Sequence, residues 1–375
     1  MSGCRRRVAY LTTDRGVPYG GTKGAAVHVA EITAALARQG ADVLVLAAAV
    51  SPDACPPSGV TVEILPGPGT GAAAEAWPAA QLADRLSAFD PICLYERLAL
   101  HSAAGSEAAR ASGIPHLVEV NAPLVEEAAR FRVLERPHEA RHLERLVLTA
   151  ADVVLPVSRP LADHVRACGA RRVEVLPNAV TIEQFGDPAA RPPRAQLTAV
   201  FAGSLRPWHG VEVMAEAWRR LGPSAPRLLI IGDGPGRDVL EAVGAEITGS
   251  IPHDQVPAIL GTADIGIAPY TVDGPGYFSP LKVFEYLAAG LAVIAADLPG
   301  VADVIDERSG VLVPPGSVPA LAAAVTALAA QPARRLALGR AGRSLVADHH
   351  TWDHRAIRVL DLADRLSTTL AGPRR

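Results

Sequence analysis

Short apolar runs recur along this chain, and most are separated by stretches in which apolar residues return at helical spacing. In the first half the runs fall at 8–11, 43–48, 62–65, 92–95, 116–120, 153–157 and 173–176, with the longest helical pattern over 124–150. Residues 186–194 (Gly-Asp-Pro-Ala-Ala-Arg-Pro-Pro-Arg) read as a linker. After it the alternation restarts, with runs at 199–202, 228–231, 247–248, 264–268, 292–296 and 311–313. Strand–helix alternation of this kind predicts the α/β class, with two Rossmann-like doubly wound parallel-sheet domains facing a central cleft. The expected boundaries are an N-terminal domain over 1–186, a linker over 187–196, a C-terminal domain over 197–350, and a terminal helix over 351–375 that returns towards the first domain.

Composition narrows the class. A length of 375 residues suits two α/β units, and 49% hydrophobic with 20% charged residues is globular. The net charge of −3 gives no basic excess for nucleic acid. Cys4, Cys55, Cys93 and Cys168 lack CxxC spacing and read as reduced thiols with no metal role. No apolar run reaches the ~18 residues of a membrane span, so a cytoplasmic protein is expected, with peripheral membrane contact left open.

The segment 279–290 (Ser-Pro-Leu-Lys-Val-Phe-Glu-Tyr-Leu-Ala-Ala-Gly) carries the sharpest chemistry. Ser279 reads as an N-cap, Pro280 as the first helical residue, and Gly290 as the C-terminal stop. The amides of Leu281 and Lys282 would then be open to an anion, as at other helix N-termini. Lys282 adds a charge, and Glu285 lies on the same face, placed to accept hydrogen bonds from a ribose. A solvated Lys–Glu pair on an ordinary helix reads equally well from this segment alone. The flanking strands place the helix start at the carboxyl edge of a parallel sheet, where α/β proteins bind ligands.

Other motifs follow strands in the same way. Gly20, Gly21 and Lys23 sit in a glycine-rich turn, read as close approach to a ligand or as a tight turn. The turn is neither GxGxxG nor a P-loop. Gly203 to Gly210 contains Arg206, a bidentate diphosphate ligand or an exposed loop arginine. It also holds His209, which would donate to a phosphate or sugar oxygen, or close the turn. Gly232 to Gly236 reads as a structural turn. Asn121 ends a strand as a cleft residue or a helix cap, and Glu126 and Glu127 suit the helix dipole.

In this order the motifs resemble the retaining glycosyltransferases of GT-B fold in glycosyltransferase family 4. The resemblance runs through the Gly20-Gly21 loop, Tyr95-Glu96-Arg97, Glu119 to Leu124, and 176–180. It continues through 203–210, 231–236, 248–257, 279–290 and 350–353. It implies a nucleoside-diphosphate sugar held mainly by the second domain and a hydroxyl-bearing acceptor. Lys282 and Arg206 would bind the diphosphate, the amides of Leu281 and Gly21 would complete its cradle, and Glu285 would bind the ribose. The loop near Gly249 and Ile251 would frame the base. Four positions depart from the usual family pattern: Ser204, His209, Tyr277 in place of the first acid of an E-x7-E pair, and Asn121 in place of a histidine.

The reaction so implied is sugar transfer with retention, assisted by the leaving diphosphate. No cofactor is expected, and the absence of Asp-x-Asp spacing argues against a metal-bridged diphosphate. A sugar-nucleotide epimerase of the same architecture and a non-catalytic nucleotide-sugar-binding protein are the rival readings. The acceptor, sugar, base and oligomeric state are not legible in the residues.

Overall fold

In a computed structural model, the described residues are 5–65, 79–131, 133–188, 196–272, 276–277 and 279–370. They form two units, one of residues 1–177 with 352–375 and one of 178–351.

In the first unit the order is β1 (Arg7–Thr12), α1 (Gly24–Arg38), β2 (Asp42–Ala47), β3 (Val60–Ile64), α2 (Ala79–Phe89), β4 (Cys93–Arg97), α3 (Ala104–Ser112), β5 (His116–Val120), α4 (Leu124–Phe131), α5 (Pro137–Ala150), β6 (Val153–Pro156) and α6 (Arg159–Ala167). The second unit runs β7 (Thr198–Ala202), α7 (Val211–Leu221), β8 (Arg227–Ile231), α8 (Arg237–Glu241), β9 (Glu246–Ile247), α9 (Val256–Leu260), β10 (Ile265–Ala268), α10 (Leu281–Ala288), β11 (Ala292–Ala296), α11 (Pro299–Ala302), β12 (Gly310–Val313), α12 (Val318–Ala330) and α13 (Pro332–His349). The last helix, α14 (Trp352–Leu370), belongs to the first unit.

Both sheets are parallel, and their orders are the same: β3-β2-β1-β4-β5-β6 and β9-β8-β7-β10-β11-β12. Each is the doubly wound order, whose direction reverses between its first and fourth strands, and ligands bind beyond the carboxyl ends at that reversal. Strands buried on both faces explain the continuous apolar runs. In the second unit Phe201, Ile230 and Ile294 pack on Met214, Trp218 and Leu321 on one side. Val200, Leu229 and Val293 pack on Phe284 and Leu287 of α10 on the other.

Several sequence expectations shift. The helical pattern over 124–150 is two helices, because Pro137 opens α5 and cannot continue a preceding turn; Arg136 before it is left-handed, with φ 46°. The run at 173–176 is not a strand. Its amides at Glu174 and Leu176 donate to the Val154 and Pro156 carbonyls, but Pro156 has no N–H to return, and only Val173 bridges. Residues 178–186 cluster with the second unit, not the first. There the Val180 amide donates to the His350 carbonyl, and Arg343 donates to the Phe185 carbonyl. Positions 189–195 of the expected linker lie outside the described residues. The terminal helix docks on α1, where the His28 ring meets Trp352 edge-on at 4.7 Å and Arg38 pairs with Asp353 at 2.7 Å.

Candidate active site

In the second unit, the loops after β7 and β10 converge at the sheet reversal. Thr271 N–H donates to the Trp208 carbonyl at 3.1 Å. Gly210, at φ +77°, lets the Pro269 carbonyl pass where a side chain would collide at 1.9 Å. Helix α10 follows the second loop and is anchored below by Tyr286. That hydroxyl accepts the Ala202 amide at 2.7 Å, and its ring fills the space left by Gly266.

The start of α10 differs from expectation in one respect. Ser279 does not cap it: Ser279 Oγ accepts the Asn178 amide at 3.1 Å, and the Ser279 carbonyl accepts Asn178 Nδ2 at 2.5 Å. Asn178 thus claims the oxygen a cap would use. Pro280 takes the cap position in extended conformation, and Leu281 is the first helical residue. The Val283 amide turns back to the Pro280 carbonyl, while the amides of Leu281 and Lys282 have no acceptor among the described residues. The open pole of the helix is therefore present without a side-chain cap. At the other end Gly290, at φ +65°, closes the helix as expected, with Leu291 N–H donating to the Tyr286 carbonyl.

Lys282 is the unusual group here. Its side chain is buried, yet Nζ has no hydrogen-bond partner among the described residues. The ammonium lies 3.9 Å from the Phe201 ring centre and 5.2 Å from that of Tyr270, so two aromatic faces hold it. Burial pushes its pKa down to about 7, against the opposing pull of Glu285. An amine whose charge burial disfavours, beside open helix amides, is a receptor for an anion, which would favour the charged form.

Glu285 is also buried, and one of its oxygens is already engaged: His253 Nε2 lies 2.7 Å from Oε1. Sequence reading missed His253, which follows the Gly249–Ile251 loop. Of that loop, Gly249 is left-handed at φ +73°, and Ile251 packs on the core. Arg206 is exposed, its guanidinium 5.8 Å from the Trp208 ring centre. His209 Nδ1 faces the Ser204 carbonyl and must donate to it. Burial, with the Lys282 charge next in weight, pushes the ring's pKa down to about 3. With Nδ1 donating, the neutral ring leaves the lone pair of Nε2 as an acceptor. Tyr277 is half-buried near the end of the β10–α10 loop, beside positions 273–275 and 278 that lie outside the described residues. Gly232 and Gly234 are structural: a side-chain carbon at either would meet the backbone of Gly203 or Leu205 within 3 Å.

The remaining expected residues lie in the first unit. Gly20, at φ +75°, passes Ala54 where a side chain would collide at 2.5 Å, and the Gly21 amide donates to the Pro18 carbonyl at 3.1 Å. Both glycines thus have a local reason, and the Gly21 amide is not an open donor. Lys23 is exposed, just before α1. Asn121 Nδ2 donates to Glu119 Oε1 at 2.5 Å, and no helix amide among the described residues donates to its Oδ1, as a cap of α4 would require. Glu119 is the hub: it also accepts from Arg97 at 2.8 Å and Tyr95 OH at 2.6 Å, and pairs with His28 Nε2 at 2.8 Å. Burial raises its pKa, but His28, Arg97 and the hydrogen bonds outweigh this and hold it at about 2. This network, which motif reading left as separate residues, sets the orientation of Asn121.

Known proteins share the sequence pattern and the fold. The family model described as Glycosyltransferase Family 4 matches residues 22–184, and that described as Glycosyl transferases group 1 matches 196–331. TuaC of Bacillus subtilis is 31% identical over 47% of this chain, a stretch that spans 46% of TuaC. A 2-deoxystreptamine glucosyltransferase of Streptomyces kanamyceticus is 27% identical over 68% of this chain and 71% of its own length. Sucrose-phosphate synthase from Thermosynechococcus elongatus superposes with a TM-score of 0.73 at 20% identity, covering 97% of this chain and 100% of that one. Anabaena HepE in complex with UDP-glucose superposes with a TM-score of 0.70 at 14% identity, covering 96% and 100%. No helix among the described residues is long and apolar enough to cross a membrane. With two matched sheets and family models covering most of its length, the chain belongs to glycosyltransferase family 4 and has the GT-B fold.

Proposed function

We propose that the protein transfers a sugar from a nucleoside diphosphate to an acceptor hydroxyl with retention of anomeric configuration. The observation that carries this reading is the buried Lys282 ammonium, which has no hydrogen-bond partner among the described residues, beside amides of α10 that have none there either. The donor's diphosphate supplies the charge and oxygens those groups lack, and Glu285 Oε2 is left to accept from the ribose. As the glycosidic bond breaks, negative charge gathers on the leaving diphosphate. Lys282 and the helix amides stabilise it from fixed positions, the exposed Arg206 adds its charge, and preorganised donors of this kind usually contribute more to catalysis than any other feature of a site. The leaving diphosphate takes the acceptor's proton, so attack comes from the face it vacates and configuration is kept. His209, bare at Nε2, accepts from a sugar hydroxyl.

The second unit thus holds the donor and the first is assigned the hydroxyl-bearing acceptor. The UDP-glucose bound by HepE and the deoxystreptamine acceptor named for the Streptomyces relative support nucleotide-sugar chemistry. The decisive assay incubates the protein with UDP-, GDP-, dTDP- and ADP-sugars and a panel of hydroxyl acceptors, and reads product configuration by NMR. An α-linked product from an α-linked donor supports the reading. An inverted product refutes retention, and interconversion of the donor sugar without acceptor replaces transfer by epimerisation.

A further inference from the structure

Away from the donor loops, the first unit holds a cluster that sugar transfer does not use. Helix α6 carries His164, and Cys168 stands at its C-cap four residues on, so the two share a face. Glu144 of α5 faces them. His164 Nε2 lies 3.7 Å from Glu144 Oε1 and 3.7 Å from Cys168 Sγ, and Cys168 Sγ lies 4.0 Å from Glu144 Oε2. The Glu144 side chain is only 9% exposed, and its Oε1 has no hydrogen-bond partner among the described residues. The histidine–carboxylate separation is too long for a hydrogen bond. It is close to what a shared ion imposes: bonds of about 2.3 Å to sulfur and about 2.0–2.1 Å to nitrogen or oxygen set tetrahedral ligand atoms roughly 3.3–3.6 Å apart.

The other ring nitrogen also faces a carboxylate. His164 Nδ1 lies 3.6 Å from Oε1 of the exposed Glu126 side chain of α4, beyond hydrogen-bond length but close enough for a small rotation to close. A carboxylate behind the non-ligating nitrogen is the usual device that fixes the tautomer of a metal-bound histidine.

We propose that Cys168 Sγ, His164 Nε2 and the Glu144 carboxylate bind one divalent transition metal, with Glu126 orienting the imidazole. Thiolate and imidazole select Zn²⁺ over Mg²⁺ or Ca²⁺, which take oxygen ligands. Binding displaces the Cys168 thiol proton to solvent, and the ion ties α5 to α6 with one coordination position left for water. Spacing in sequence assigns the cysteines no metal role because Glu144 arrives from another helix.

The test uses full-length protein stripped with chelator and titrated with Co²⁺, then Zn²⁺. One equivalent of Co²⁺ gives a cobalt–thiolate charge-transfer band that Zn²⁺ abolishes. The band is lost in Cys168→Ser and retained in Cys55→Ser, which changes an exposed thiol elsewhere. Glu126→Gln weakens binding about 10-fold or more. If Cys168→Ser does not fold by circular dichroism, His164→Ala and Glu144→Gln read the same loss. A band absent from the wild type, or surviving in Cys168→Ser, overturns the proposal and leaves His164 as an ion-pair partner of two carboxylates.

Discussion

A side-chain carbon at Gly203 would lie 2.8 Å from the Lys282 ammonium, so the bare backbone there is what gives that ammonium its place over Phe201. Gly203 also holds φ at +136°, where other residues are strained. Gly203→Ala is expected to cost about 1–3 kcal/mol in strain and to weaken nucleotide binding by displacing Lys282. Thermal unfolding and calorimetry read the two effects; an affinity equal to wild type would detach Gly203 from the donor site.

Replacing Lys282 separates binding from folding. Lys282→Met keeps the packing on Phe201 and Tyr270 while removing a charge that burial penalises. Stability is expected to hold or rise, because exchanging a poorly compensated buried charge for an apolar side chain is often favourable. Turnover should fall about 10²–10³-fold, the loss seen when one stabilising donor is removed from a reacting centre. A destabilised protein with normal turnover would reverse both roles.

The pH dependence has a definite sign. Free Lys282 titrates at about 7, below its ordinary 10.5, because burial disfavours the charge. A bound diphosphate favours the charged form, so above pH 7 binding takes up a proton. Affinity then falls as pH rises, by up to about tenfold per unit. Calorimetry at pH 8 in two buffers of different ionisation enthalpy measures the proton directly. Folding runs the other way: between pH 7 and 10.5 the unfolded chain binds more protons, and this group's contribution to stability rises with pH. Equal heats in both buffers would contradict this role for Lys282.

His253 and Glu285 should act as a pair on affinity. His253→Ala frees the engaged carboxylate oxygen and is expected to weaken nucleotide binding about threefold to tenfold, with little change at saturation. Glu285→Ala should erase the preference for a ribose over its deoxy form. If that preference survives, the ribose is held elsewhere.

In the first unit, Glu119 should govern acid stability. Its native pKa of about 2 lies below the ordinary 4.5, so its contribution is complete above pH 4.5 and is lost as pH falls towards 2. Glu119→Gln should cost about 3–5 kcal/mol by breaking a buried charged network and should flatten the acid limb of the unfolding midpoint. Parallel curves for mutant and wild type would refute this.

Local sequence showed the strands of both sheets because buried parallel strands are apolar throughout, and it marked α10 through Pro280, Lys282 and Gly290. What it could not show arrives from afar. The Ser279 oxygen belongs to Asn178, 101 positions away. The Phe201 ring under Lys282 comes from another strand, and His253 reaches Glu285 across 32 positions. Asn121 looked like a cap or a cleft residue, but Glu119, fed by Tyr95, Arg97 and His28, decides its direction. The 173–176 run failed because its neighbour on β6, Pro156, has no N–H to return.

The most direct test of the donor site is calorimetric binding of UDP, GDP, dTDP and ADP, without added metal, to the wild type and to Lys282→Ala. Selective micromolar binding of one nucleotide by the wild type is predicted, with its loss in a variant that remains folded. Equal affinity in both proteins would contradict the placement of the diphosphate at Lys282.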